Sequence, residues 1–240
     1  MYVYGKNSLI EAVNSKFSIK NIYIDQKLNR DSIINICKNN GYSINLVPDN
    51  VLKKMTGTDK SQGIVFEIDD DFKYYDIDYI KKFEKPYLLI LDQIQDPHNF
   101  GAIIRSALAA GVNAIIIPKD NSVLVTPTVI KVSSGQVFKI PIILVTNIAR
   151  TIQYLKENDI WVYCADMDGK PYYEVDYSYP FCLVMGNEGK GIRENVKKHC
   201  DDSISIPMKN EVESLNVSVS AGIILFEGKK CRELKLKWGV

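Results

Sequence analysis

The stretch Phe181-Cys182-Leu183-Val184-Met185-Gly186-Asn187-Glu188-Gly189-Lys190-Gly191 joins an apolar run to a glycine-rich turn. The run reads as a buried strand. The turn offers backbone N–H and C=O groups to a ligand, because glycine lets another molecule approach the backbone closely. Its order is G-x-x-G-x-G rather than G-x-G-x-x-G, so it gives no support to a Rossmann dinucleotide site. Similar apolar runs lie upstream at residues 87–91, 114–118, 139–145 and 161–165. Helical patterns at residues 99–111, 126–133 and 149–158 fall between them. Strands that are apolar on both faces and alternate with helices imply an α/β fold. Its sheet is mostly parallel and carries helices on both faces.

The rest of the chain is consistent with a globular protein of one large or two smaller domains: 240 residues, 46% hydrophobic, 25% charged, net charge +1. That net charge neither requires nor excludes nucleic acid, since a local basic face matters more than the total. Arginine occurs only at 30, 105, 150, 193 and 232. The five cysteines (37, 164, 182, 200, 231) form no C-x-x-C, and His98 and His199 are the only histidines. Neither a disulfide framework nor a metal site is indicated, and a cytoplasmic protein with reduced thiols is expected. No apolar run approaches the roughly 20 residues needed to span a bilayer, so no membrane partner is expected.

Residues 1–68 alternate short helical and strand signals: helices at 8–13, 31–38 and 49–55, the last capped by Asp49, and strands at 21–24, 42–47 and 63–68. They make a small α/β domain. Residues 69–85, with Asp69, Asp70, Asp71, Asp76 and Asp78, read as an acidic linker that would repel phosphate. Residues 86–240 form the larger domain.

Two further stretches stand in order with the glycine loop. One is Asp96-Pro97-His98-Asn99-Phe100-Gly101-Ala102-Ile103-Ile104-Arg105-Ser106-Ala107. The other is Ile206-Pro207-Met208 followed by Glu213-Ser214-Leu215-Asn216-Val217-Ser218-Val219-Ser220-Ala221-Gly222-Ile223. Together the three resemble, in order and spacing, the motifs of the SpoU (TrmH-type) RNA ribose 2′-O-methyltransferases. The first 68 residues resemble the substrate-binding domain, related to ribosomal protein L30e, that precedes the catalytic domain in many members. The resemblance implies a trefoil knot near the C-terminus, which no pattern in the sequence shows and which general topology rules disfavour. It also implies a helix from about Asn216, whereas the alternation Val217-Ser218-Val219-Ser220 by itself reads equally as a strand.

The resemblance further implies transfer of a methyl group from S-adenosylmethionine to a ribose 2′-hydroxyl of RNA, without metal, by a homodimer. It places the cofactor against Met185, Gly186, Ile206, Met208 and Leu215. Thr146 and Asn147, just after a strand, are a further candidate wall of that pocket. Simple core packing is the alternative for Ile206 and Met208. Arg105 is implied as the essential arginine. Its guanidinium stays charged, so phosphate anchoring and stabilisation of a developing alkoxide suit it better than proton abstraction. Asn99 is either an N-cap or a group that positions the ribose or Arg105. Glu188 and Asn216 complete the catalytic candidates, Glu188 as an organiser rather than a base. Ser214 and Asn216, with Arg105, are substrate-binding candidates, and Asn216 suits a cap of the last helix slightly better. Histidine is the obvious conventional base among side chains, but His98 reads as a loop residue.

The strings Leu91-Asp92, Asp96-Pro97-His98-Asn99, Pro118-Lys119-Asp120 and Val145-Thr146-Asn147-Ile148-Ala149-Arg150 resemble the branch that methylates a guanosine of 23S ribosomal RNA. A transfer-RNA ribose methyltransferase and a non-catalytic RNA-binding protein on the same scaffold are the alternatives.

Overall fold

The computed structural model describes residues 1–28, 31–69, 72–209 and 214–238, with side chains to 234. Arg30, Asp70, Asp71 and Glu213, named above, lie outside them. The chain divides into two compact units, residues 1–73 with 125–139, and residues 74–124 with 140–240.

In the first unit, strands β1 (Tyr2–Tyr4), β2 (Ile19–Asp25), β3 (Ile44–Val47) and β4 (Ile64–Ile68) form a sheet of order β1-β4-β2-β3. β4 runs antiparallel to both its neighbours, and β2 and β3 are parallel. Helices α1 (Lys6–Asn14), α2 (Asp31–Asn39) and α3 (Asp49–Thr56) supply Leu9, Ala12, Val13, Ile33 and Leu52 to its core. Asp49 is the first helical residue rather than the cap of α3; that place falls to Pro48, and the Asp49 carboxylate pairs with Lys53 at 3.0 Å. Residues 125–139, assigned from the sequence to the larger domain, pack in this unit instead. Their helix α5 (Pro127–Val132) lies against β1, Ser8 donates to the Ile130 carbonyl, and Phe138 packs on Phe17. Their apolar positions, Val129, Ile130 and Val137, are buried there, which a linear division of the sequence cannot show.

The second unit holds β5 (Tyr87–Asp92), β6 (Ala114–Pro118), β7 (Ile142–Val145), β8 (Trp161–Pro171), β9 (Phe181–Gly186) and β10 (Asp202–Ser205). They make one sheet of order β10-β8-β9-β5-β6-β7, parallel at every pairing. Its helices are α4 (Pro97–Ala110), α6 (Ile148–Glu157), α7 (Glu194–Lys197) and α8 (Val217–Trp238); α5 (Pro127–Val132) is the helix of the first unit. Side chains alternate between faces along a strand. Leu88, Ile90, Ala114, Ile116, Val162, Cys182 and Val184 therefore share one face and pack with Ile148, Ile152 and Leu155 of α6. The opposite face presents Tyr87 and Phe181 to α8, where Tyr87 Oη donates to the Leu225 carbonyl at 2.6 Å. A Cβ at Gly228 would collide with both rings, so glycine lets α8 lie this close.

The acidic stretch is less of a free connector than its composition implies. Tyr75 exchanges backbone hydrogen bonds with Ile142 and Leu144, adding one residue of pairing to β7. Asp78 is held by Lys81 at 2.6 Å and by the Tyr154 hydroxyl at 2.8 Å. The segment from Val217 is helical: the alternation that reads as a strand is overridden by packing of α8 beside α4.

Candidate active site

In a parallel sheet the ligand site lies outside the carboxyl ends of the strands. Here the middle of β8, the ends of β9 and β10 with the segments that follow them, and the start of α8 line a cavity of about 530 Å³. Met185, Ile204, Ile206, Met208, Leu215 and Val217 give it apolar walls. Asp166, Asn187, Glu188, Ser205, Ser214 and Ser220 supply polar groups. Residues 206–209 carry no regular structure, and Pro207 has no N–H to give to a ladder.

The glycine loop closes on itself. Asn187 N donates to the Gly191 carbonyl at 3.1 Å and Gly191 N returns to Asn187 at 2.9 Å. A Cβ on Gly186 would meet backbone of Gly191 and Ile192, and Gly191 itself sits at φ +66°. Gly186 is therefore required first by the chain's own backbone. The Asn187 side chain ties the loop down, donating to the Gln93 carbonyl at 3.0 Å and accepting from Gly189 N at 3.0 Å.

The three sequence motifs meet through one residue. Asn99 donates its Nδ2 to Glu188 Oε1, and its Oδ1 accepts from Asn216 Nδ2 at 3.0 Å. Asn99 is not the helix cap. Asp96 takes that role, accepting from His98 N at 2.8 Å, with Pro97 as the first helical residue. This frees the Asn99 side chain, three positions into α4, for the cluster. Asn216 serves both its candidate roles: its Oδ1 accepts from Ser218 N at 2.9 Å at the start of α8, while its Nδ2 reaches Asn99.

Met185, Gly186, Ile206, Met208, Leu215, Glu188 and Ser214 all line the cavity. Thr146 and Asn147 do not. They line two separate hollows at the end of β7, and the Asn147 Oδ1 caps α6 by accepting from Arg150 N at 3.1 Å. The strand order explains the correction, since β7 is the opposite edge of the sheet from β8 and β10. Arg105 is exposed on α4 outside the cavity wall, with no ion pair among the described residues. It lies about 9 Å along the helix from Asn99, at the usual rise per residue. His98 is exposed, its Nδ1 3.1 Å from Asp96.

Two groups escaped the sequence reading. Asp166 lines the cavity and pairs with Lys197. Burial opposes its ionisation, but the Lys197 ammonium and the backbone N–H groups of Asp168 and Met167 hold its carboxyl below the usual range. Its position directly after the apolar run 161–165 was the available signal. Asp92, fully buried at the end of β5, receives Arg193 Nε at 3.0 Å, its Nη2 at 2.6 Å and its backbone N at 3.0 Å. That fork fastens the chain after the glycine loop to the sheet, across 101 residues of sequence. Among the described residues no group of three His, Cys, Asp or Glu side chains is placed to hold a metal.

A family model described as the SpoU rRNA Methylase family matches residues 86–226, the region that carries this cavity. The chain belongs to the SpoU rRNA methylase family. A second model, RNA 2′-O ribose methyltransferase substrate binding, matches residues 2–73. The chain is 38% identical over 235 residues to the TrmH-family protein YacO of Bacillus subtilis (strain 168), covering 94% of each. It is 41% identical over 204 residues to the 23S rRNA (guanosine-2′-O-)-methyltransferase RlmB of Escherichia coli (strain K12), covering 83% of this chain and 84% of that one. The AdoMet-bound rRNA methyltransferase from Sinorhizobium meliloti superposes with a TM-score of 0.80 at 27% identity, over 95% of this chain and 86% of that one. The SpoU motifs are thus the segments that line the cavity and its polar cluster.

Proposed function

We propose that the chain transfers the methyl group of S-adenosylmethionine to a ribose 2′-hydroxyl of RNA, and that the acceptor is a guanosine of 23S ribosomal RNA. The observation that carries the reading is the cluster Glu188–Asn99–Asn216, which joins the three motifs beside a cavity of suitable size and lining. Ligand cavities of about 300–1,000 Å³ are mostly apolar with a few placed polar groups, and this one fits a flat adenine and a polar methionine tail. Identity to RlmB supports the ribosomal guanosine.

When bound, the cofactor supplies an electrophilic methyl group. Met185, Gly186, Ile206, Met208 and Leu215 hold it, and Asp166 offers a carboxylate to its polar groups. Asn99, Glu188 and Asn216 fix the loop and the start of α8 so that the acceptor oxygen meets a rigid wall. Ser214 and Asn216 offer hydrogen bonds to the RNA. Arg105 cannot accept a proton, but its exposed guanidinium binds a phosphate and favours charge developing on the 2′-oxygen. A phosphate oxygen that it holds then takes the hydroxyl proton. The first 73 residues bind the RNA, in keeping with their family match.

The protein works in the cytoplasm as a homodimer whose knotted C-terminal region provides the interface. Val219 and Phe226, apolar and half exposed on α8, support a covered face there. Among the described residues no helix is long and apolar enough to cross a membrane. Mass spectrometry of ribosomal and transfer RNA from a deletion strain tests the proposal. Loss of one 2′-O-methylguanosine from 23S RNA, restored by the gene, is expected. Loss confined to transfer RNA would overturn the choice of substrate.

A further inference from the structure

The string Val145-Thr146-Asn147-Ile148-Ala149-Arg150, and the Lys119 that follows β6, have no part in the cavity described above. Of these, Lys119, Val145, Thr146, Asn147 and Arg150 line a hollow of about 360 Å³ at the carboxyl ends of β6 and β7. A smaller one of about 130 Å³ shares Thr146 and Asn147 with it and reaches Arg193. Both lie at the same carboxyl end of the sheet as the cofactor cavity, because every strand is parallel and Pro118 pairs with Val145 as Asp92 pairs with Gly186. β7 lies two strands from β5, about 10 Å at the usual strand spacing.

The lining groups suit an anion on a chain. Lys119 and Arg150 are exposed, and neither makes an ion pair among the described residues. Arginine is scarce in this sequence, and Arg150 and Arg193 both stand here. Arg193 is neutralised by Asp92, whereas Lys119 and Arg150 are not. Asn147 spends its Oδ1 on α6, which leaves its Nδ2 to donate outward. One carboxylate, Asp76, lines the far wall, and the neighbouring Asp78 is already engaged by Lys81 and Tyr154. The balance of the hollow is thus one net positive charge, with donors from Thr146 and Asn147.

We propose that Lys119, Arg150 and the Asn147 amide hold a backbone phosphate of a nucleotide flanking the methylated one. This rests on the reading of the chain as an RNA methyltransferase, and it extends the RNA path across the carboxyl ends of the strands, away from the cofactor. Phosphate contacts fix register without reading sequence. The contact therefore sets how far the RNA is drawn across the edge and which ribose stops at the cluster.

The test uses the full chain and 23S ribosomal RNA transcribed in vitro. Lys119→Gln, Arg150→Gln and the double variant are compared with wild type for RNA affinity across a salt series, single-turnover methylation at saturating RNA, and cofactor affinity. Both side chains are exposed, so folding is not at risk. The double variant should bind RNA about tenfold more weakly at low salt, as for a charged hydrogen bond lost. The slope of log affinity against log salt should fall by about 0.7 for one single-strand phosphate. Cofactor affinity should stay at the wild-type value, while the single-turnover rate at saturating RNA should fall, because the target ribose is no longer held in register. An unchanged RNA affinity and slope would overturn the proposal, as would loss of cofactor binding. A wild-type protein that binds the transcript but does not methylate it would count against the substrate reading, while the salt series still decides the phosphate contact.

Discussion

Gly186→Ala isolates the most demanding backbone contact in the cofactor site. A Cβ there would lie 2.5 Å from the Gly191 carbonyl oxygen, and closer still to its carbonyl carbon and to Ile192 N, whereas ordinary contacts begin near 3.4 Å. All three obstacles are backbone, so no side chain can swing aside. The loop must recoil by about an ångström, which breaks the reciprocal pair between Asn187 and Gly191. Recoil relieves the overlap at the expense of two backbone hydrogen bonds of about 1 kcal/mol each, within the about 1–3 kcal/mol usual for overpacking, so about 2 kcal/mol is expected. In a chain of this size that lowers the thermal midpoint by about 4–8 °C. The displaced loop carries Glu188 and the wall at Met185, so cofactor affinity should fall at least about tenfold. The control is Gly189→Ala, whose Cβ would meet only the Asn187 Oδ1 at 3.7 Å and should be nearly silent. Thermal unfolding and calorimetric titration with S-adenosylmethionine read both effects. Equal behaviour of the two variants would refute the argument that Gly186 is required by close backbone approach.

Three other outcomes are expected. Arg105→Ala should abolish single-turnover methylation while leaving cofactor titration unchanged, and Arg105→Lys should not rescue it, because one ammonium cannot reproduce the planar fork; an inactive His98→Ala beside an active Arg105→Ala would make the histidine the base. Arg193→Ala leaves Asp92 buried with one backbone donor and should cost about 3 kcal/mol in denaturant unfolding; Asp92→Asn, which removes the buried charge, should cost less. Asp96 is held below the usual carboxylate range, first by the backbone N–H of His98 and further by its ring, despite partial burial. A lowered folded pKa gives stability that is present above the unfolded value of about 3.9 and is lost as pH falls through the folded one. Asp96→Ala should therefore cost about 1 kcal/mol at neutral pH, and the gap should close in unfolding curves taken below about pH 4.

The sequence by itself determined the parts that depend on local pattern. Unbroken apolar runs such as 87–91 and 181–185 are intelligible only as strands buried on both faces, and the turn after the second is marked by its glycines. The resemblance of three motifs located Met185, Gly186, Ile206, Met208 and Leu215, which line one cavity because β9 and β10 end on either side of β8. Tertiary structure alone decided the rest. Residues 125–139 follow β6 in sequence, but their apolar side chains are buried in the first unit, a choice made by contacts across 122 positions, as from Ser8 to Ile130. Thr146 and Asn147 follow a strand as Met185 and Gly186 do. Only the strand order places them at the far side of the sheet, where Asn147 caps α6 and the hollow holds Lys119 and Arg150, which make no ion pair among the described residues. Asn99 reads as a cap until Asp96 occupies that place, and the bond it then makes to Glu188 spans 89 residues. Periodicity reports which face of an element is apolar, but which elements become neighbours is settled by burial and hydrogen-bond satisfaction over the whole chain.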